Sequence, residues 1–193
     1  MAIVINGSGT VTGLAVGGLP DGTVDAGTLA TDSVTAAKLE VSAITGADLP
    51  AGSVLQVVQQ EYATGVNQGG TSYADTGTTA TITPSSTSSK ILILVSQPVF
   101  NSVDTTSNRT SYFRLYRDIG SSGSELEVKE YSFIGSPATY DTSYAHAVNY
   151  LDSPSSTAAV TYRTQFKLSG TTADVKVNDG GGSSNITLME IAG

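Results

Sequence analysis

The chain has 193 residues, no Cys, no Trp and one His, and its nine Lys and Arg against seventeen Asp and Glu leave a net charge of −8. Without Cys there is no disulfide or thiolate-metal site, and the acidic balance excludes bulk electrostatic binding to nucleic acid, whose phosphates need Lys and Arg. The longest strongly apolar run, Ile91–Val95, is far short of a membrane span, and Met1-Ala-Ile-Val-Ile-Asn6 lacks the basic start of a signal peptide. A soluble product with no membrane insertion is expected, made in the cytoplasm of the producing cell.

In chain order, Ala2-Ile-Val-Ile5 comes first, an apolar, β-prone segment followed by the Gly- and Ser-containing joint Asn6–Gly9. Ile3, Val4 and Ile5 have no place in the pattern that follows, and such a segment can add as a strand to a neighbour's sheet edge. From Leu14 to Val54 the chain then repeats every ten residues. Val24, Val34, Ile44 and Val54 form one series, and Leu19, Leu29, Leu39 and Leu49 a second, offset by five. Five residues turn an α-helix by about 140°, so the two series would not share a helical face. Five residues also reverse the face of a strand. Each unit is therefore a small mixed element, a turn plus one loose helical turn around Thr35-Ala-Ala-Lys-Leu39. So small a unit cannot bury its Val and Leu alone, and a shared axis with other chains would shield both series. This predicts an extended, thin oligomeric shaft over residues 1–53, including the attachment segment.

Composition shifts at residue 53. Before it there is no aromatic residue and no Arg; after it come nine Tyr, four Phe and every Arg. Residues 54–193 should therefore hold the aromatic-rich core. Val54–Tyr62 reads as a first strand, Thr78–Thr83 as a second, and Ile91–Val95 as a central strand buried on both faces. Tyr112–Arg117 places Phe113 and Leu115 on one face and Tyr112, Arg114 and Tyr116 on the other. In Ala158–Leu168, the residues Val160, Tyr162, Thr164, Phe166 and Leu168 face the core, while Thr161, Arg163, Gln165 and Lys167 face solvent. Strands are also predicted over 125–134, 144–151, 173–177 and 186–191, with a flexible loop at Asn178–Ser184. Eight to ten short strands without long helical patterns predict an all-β fold, an antiparallel, jelly-roll-like sandwich.

The units TDSVTAAKLE, SVLQVVQ, TATITPSSTSSKILILV and YLDSPSSTAAVTY and the ending ITLMEIAG resemble the fibre and appendage proteins of tailed bacteriophages, common among phages of cyanobacteria and other aquatic bacteria. The resemblance covers nearly the whole chain. It implies a homotrimer with an N-terminal attachment and shaft region and a C-terminal β-sandwich knob, located on the virion. Its neighbours would be proteins of the tail, baseplate or capsid.

Catalytic chemistry is thin. His146 is the sole histidine, and no G-x-S-x-G elbow accompanies it. Packing or a trimer contact is the better reading of that residue. Glu125, Glu127 and Glu130 share a segment with Lys129 and read as a solvated strand face rather than a glycosidase pair. Asp21, Asp25 and Asp32 drift relative to the ten-residue period and read as turn or cap residues rather than calcium ligands. No cofactor and no enzymatic activity is expected. The segments Asn101–Thr110 and Gly135–Ser143 read as long loops, and such loops on a rigid β scaffold often carry binding. Arg109 and Tyr140, within them, are the receptor-contact candidates, for a host cell-surface glycan or protein. The leading expectation is a tail or baseplate fibre. The alternatives are a capsid head-fibre or decoration protein without receptor binding, and a polysaccharide-degrading tailspike.

Overall fold

The computed structural model describes residues 45–103, 109–133, 140–170 and 173–193, together with the isolated positions Leu29, Thr31, Val34 and Thr35. The chain divides at Ile44/Thr45. Of the first unit, the attachment residues Ile3, Val4 and Ile5 and the series members Leu19, Val24, Leu39 and Ile44 lie outside the described residues, as do Asp21, Asp25 and Asp32. Leu29 and Val34 are 46% and 52% exposed in the single chain.

Thr45–Gly193 begins with the segment equivalent, one repeat later, to Thr35–Leu39. Gly46–Asp48 forms a single 3-10 turn. The Thr45 N–H and hydroxyl both donate to Asp48 Oδ2, at 2.8 and 2.7 Å, and these bonds hold the Asp48 carboxyl below its usual pKa. Ten strands follow: β1 (Val54–Tyr62), β2 (Val66–Gln68), β3 (Ala74–Ile82), β4 (Lys90–Val103), β5 (Arg109–Ile119), β6 (Ser122–Phe133), β7 (Tyr140–Asp152), β8 (Val160–Leu168), β9 (Ala173–Val177) and β10 (Ser184–Ile191). All pairings are antiparallel.

One sheet has the order β3-β8-β5-β6; the other runs β1-β10-β4-β9-β2, with β7 also pairing with β4. The six-stranded sheet reduces to four strand positions. β10 pairs with residues 90–96 of β4 and β9 with residues 99–103, so the two are halves of one interrupted strand. β1 and β2 pair with β10 and β9 respectively and are halves of another. The result is two four-position sheets with chain crossings between them, a jelly roll.

Alternation builds the interior. Ile91, Ile93, Val95 and Val99 of β4, Phe113 and Leu115 of β5, and Val160, Tyr162, Phe166 and Leu168 of β8 are all buried, because residues two apart share a sheet face. β4 departs from its expectation: it is central, but Leu92 and Leu94 are only half-buried. A two-layer sandwich in a single chain covers one face of each sheet, and these two leucines sit on the other. Asn178–Ser184 is likewise more ordered than a flexible loop. Asn178 is 3% exposed, with φ +59°. Its amide donates to the Thr64 carbonyl at 3.2 Å and its carbonyl accepts from Ser184 Oγ at 2.6 Å. These bonds pin the interruption between β9 and β10.

The core forms two apolar clusters. One gathers Ile82, Ile91, Ile93, Val95, Leu115, Tyr162, Ile186 and Leu188. The other gathers Val99, Phe113, Phe166, Leu168, Val175 and Val177. A buried polar belt lies at the level between them: Thr76, Thr78, Gln97, His146 and Thr164. Gln97 Nε2 donates to Thr78 Oγ1 at 2.8 Å and Thr76 Oγ1 at 3.1 Å, and the Thr76 and Thr164 hydroxyls bond at 2.6 Å. Beside the belt, β3 bulges between Asp75 and Thr79. Gly77 occupies the bulge at φ +86°, under the Tyr62 ring, where a Cβ would fall 2.2 Å from a ring carbon.

Candidate functional site

The strand registers give the sandwich two chemically different ends. At the proximal end lie Val54, Ile82, Lys90, Ile119, Asp152, Val160 and Ile191. The segment Thr45–Ser53 joins here: Gly52 N–H donates to the Ala192 carbonyl, and Ala192 N–H to the Ser53 carbonyl, both at 2.8 Å. A cleft of about 520 Å³ at this end is lined by Leu49, Leu55 and serines 85, 86, 88 and 89. Beside it Glu190, buried, accepts from Ser85 N–H, Ser85 Oγ and Gln56 Nε2, each at 2.6 Å. Burial pushes its pKa up, but these hydrogen bonds outweigh burial and hold it below the usual carboxylate value. The carboxylate clamps the turn after Pro84 to β10, a structural task.

Asp152 closes the same end between the sheets. Both its oxygens accept from Arg117 Nη1 at 2.8 Å, and Oδ2 also accepts from the Tyr162 hydroxyl at 2.7 Å. Burial, then the hydrogen bond to Asp152, drives the Tyr162 pKa well above its usual value.

At the opposite end the chain crosses between sheets four times, from β2 to β3, β4 to β5, β6 to β7 and β8 to β9. Arg109 and Tyr140 both stand at this loop end, but not within loops. Arg109 is the first residue of β5, opposite Phe133, and Tyr140 is the first of β7, opposite Val103. Cross-strand pairing extends β4, β5 and β7 beyond the limits read from local composition. The side chains of Arg109 and Tyr140 lie outside the described ones, as do residues 104–108, 134–139 and 171–172.

Running from the loop end along the outer face of the four-stranded sheet is a tyrosine–cation ladder, of which only Arg163 and Lys167 were expected to face solvent. Lys167 Nζ lies 4.6 Å from the Tyr73 ring centroid and 5.1 Å from that of Tyr112. The Arg114 guanidinium lies 4.0 Å from Tyr73 and 4.7 Å from Tyr116, and Arg163 lies 5.1 Å from Tyr116. Carboxylates tie the arginines down: Arg114 to Glu125 at 3.0 Å, and Arg163 to Asp75 at 3.1 Å and Asp118 at 3.0 Å. Gln165 accepts from Arg114 Nε and donates to Asp75 Oδ1, both at 2.7 Å. The ladder is charge-balanced and laterally braced, and its half-buried tyrosine rings are engaged by the cations along it. Register creates the ladder, since Tyr112 pairs with Lys167 and Arg114 with Gln165 across some fifty residues of sequence.

One other reading changes, and His146 is packed as expected. Glu125, Glu127, Glu130 and Lys129 do not share one solvated face. The register puts Glu127 and Lys129 on the face of Leu115 and Phe113, at the open edge of the sandwich, with 2.8 Å between them. Glu130 pairs with Tyr112 on the outer face, and Glu125 meets Arg114 across the β6 bulge. His146 is fully buried in the belt, its ring centroid 4.6 Å from that of Phe113. Burial, and secondarily the Lys129 charge, lowers its pKa to about 4. Among the described residues no group of three or more His, Asp or Glu is placed to hold a metal ion.

No family model matches the chain, and no curated protein matches its sequence. Among solved structures it is similar to the VP2 subviral particle of infectious bursal disease virus, at a TM-score of 0.30 and 9% identity over 72% of this chain and 38% of that one. It is also similar to infectious bursal disease virus Gx strain, at 0.25 and 14% over 75% and 37%. The chain thus spans little more than a third of the length of either.

Proposed function

We propose that this chain is a non-enzymatic, homotrimeric virion protein, a tail or baseplate appendage of a tailed bacteriophage. In this reading Ile3, Val4 and Ile5 dock it to a neighbouring virion protein. The ten-residue units form a shaft, and the jelly roll is a knob that meets the host surface. The observation that carries the reading is the polarity of the jelly roll. Thr45–Ser53 joins one end, and four sheet-crossing connections, with Arg109 and Tyr140 at their margins, gather at the other. A rigid β scaffold that receives its stem at one end and displays loops at the other is suited to presenting a contact surface. Threefold display would turn weak contacts into avidity. The exposure of Leu29, Val34, Leu49 and Val54, between 40% and 52% in a single chain, supports association through the ten-residue series.

Native mass spectrometry of the full chain should give a trimer, and immunogold labelling should place it on tails or baseplates of intact particles. Full-length trimer should bind host cells, with binding reduced by Arg109→Ala and Tyr140→Ala. A monomer at micromolar concentration refutes the assembly. Labelling on heads without cell binding replaces the appendage reading with a capsid decoration protein, and release of reducing ends from envelope polysaccharide replaces it with a tailspike.

A further inference from the structure

The charges of the tyrosine–cation ladder balance in number but not in position. Arg163 has two carboxylates, Asp75 at 3.1 Å and Asp118 at 3.0 Å, and Arg114 has one, Glu125 at 3.0 Å. Lys167, the ladder's cation at the loop end, has no carboxylate partner among the described residues. Glu130 stands on the same outer face, opposite Tyr112, and makes no ion pair with it. Two rings hold Lys167 instead. Tyr112 is its directly paired residue on β5, and Tyr73 immediately precedes Ala74, which pairs with Phe166. The ammonium lies 5.1 Å from the Tyr112 ring centroid and 4.6 Å from that of Tyr73. All three residues are half-buried. Ring faces attract a cation but carry no net charge, so the positive charge stays uncompensated.

We propose that Lys167, Tyr73 and Tyr112 form a site for an oxyanion, the carboxylate or phosphate group of a ligand met at the loop end; this rests on the reading of that end as a contact surface. An ammonium is a point charge with three N–H donors, so it takes carboxylate and phosphate oxygens alike. The phenols add two O–H donors, and neither hydroxyl has a hydrogen-bond partner among the described residues. Burial first, then the Glu125 charge, raises the Tyr73 pKa, so that phenol keeps its proton and remains a donor. The donors stand on a fixed backbone. Leu168 N–H donates to the Gly70 carbonyl and Ser169 N–H to the Thr110 carbonyl, both at 2.9 Å. These bonds pin the end of β8 to the β2–β3 connection and to the start of β5. A cation already seated between rings loses little freedom when a ligand arrives, so its charge-assisted bonds are not offset by ordering. The chain's net charge of −8 does not attract anions at long range, so capture depends on the local charge at Lys167.

Saturation-transfer NMR on the full-length protein tests this with glucuronate, glucose phosphate and uncharged glucose as probes. The wild type should bind an acidic probe about tenfold more tightly than glucose, the effect of one charge-assisted hydrogen-bonded contact, and added salt should weaken that binding. A response to glucuronate alone supports a carboxylate ligand, and a response to glucose phosphate alone a phosphate ligand. Lys167→Gln should lose the preference, and Lys167→Arg, which keeps the charge, should retain it. Lys176→Gln should also retain it, because it makes the same change in net charge at a lysine already beside Asp179. No binding, equal binding of all three probes, or an unchanged preference in Lys167→Gln overturns the site. Binding of an acidic probe without attachment of the protein to host cells upholds the site and overturns the contact-surface reading. Attachment to host cells without acidic-probe binding does the reverse.

Discussion

Acidification should weaken this fold between pH 6.5 and 4, through His146. The ring is fully buried in the polar belt against Phe113. Burial first, and the nearby Lys129 charge second, lower its pKa from 6.5 to about 4. In the unfolded chain the imidazole regains its ordinary value. Between pH 6.5 and 4 the unfolded state therefore binds a proton that the folded state refuses, so stability rises with pH across that window. The contribution is complete above pH 6.5 and is eroded as pH falls toward 4. With each pKa unit equivalent to about 1.4 kcal/mol, moving from pH 7.5 to 5.0 should remove about 2 kcal/mol. Urea unfolding at both pH values and one fixed protein concentration reads this directly. The wild-type midpoint should fall by about 1 M, given an unfolding slope near 2 kcal/mol/M. His146→Gln, neutral throughout, should unfold at nearly the same urea concentration at both pH values. A wild-type midpoint indifferent to pH, or a His146→Gln variant that keeps the full shift, would show that the buried imidazole is not the cause.

Substitutions at three further positions probe the scaffold. Gly77→Ala should destabilise by about 2 kcal/mol or more, because it combines a positive-φ position with a Cβ driven into the Tyr62 ring; thermal melting checks this, and a neutral outcome would mean that the bulge is not held by Tyr62. Asp152→Ala should cost about 2–4 kcal/mol by stranding the Tyr162 hydroxyl and Arg117 together, whereas Asp152→Asn, which keeps an acceptor, should cost less. Glu190→Ala should cost about 1.5–3 kcal/mol through the freed Ser85 and Gln56 donors. Because the folded pKa of Glu190 lies below its ordinary 4.5, its contribution is present above pH 4.5 and is lost as pH falls through the lower folded value. Acid titration of this variant should therefore differ from wild type below the His146 window.

Strand faces were legible in the sequence wherever period-two alternation was strong. The inward residues of β8, from Val160 to Leu168, and of β5, Phe113 and Leu115, are buried as the pattern requires, because the pleat makes facing a local property. The all-β class was local in the same sense, and so was the turn potential of Thr45–Leu49. What residues meet across strands was not legible. Leu92 reads as core in its apolar run, yet register sets it in an outer row with Val57, Met189 and Leu151. Tyr112 and Lys167, and Arg114 and Gln165, become neighbours only when β5 pairs with β8. Arg109 and Tyr140 looked like loop residues because their surroundings are rich in Ser, Thr and Asn. Pairing with Phe133 and Val103 makes them strand starts at one end of the sandwich. A chain encodes which face a residue takes through its nearest neighbours, but partners distant in sequence are fixed only when the two sheets form, and the candidate site is made of such partners.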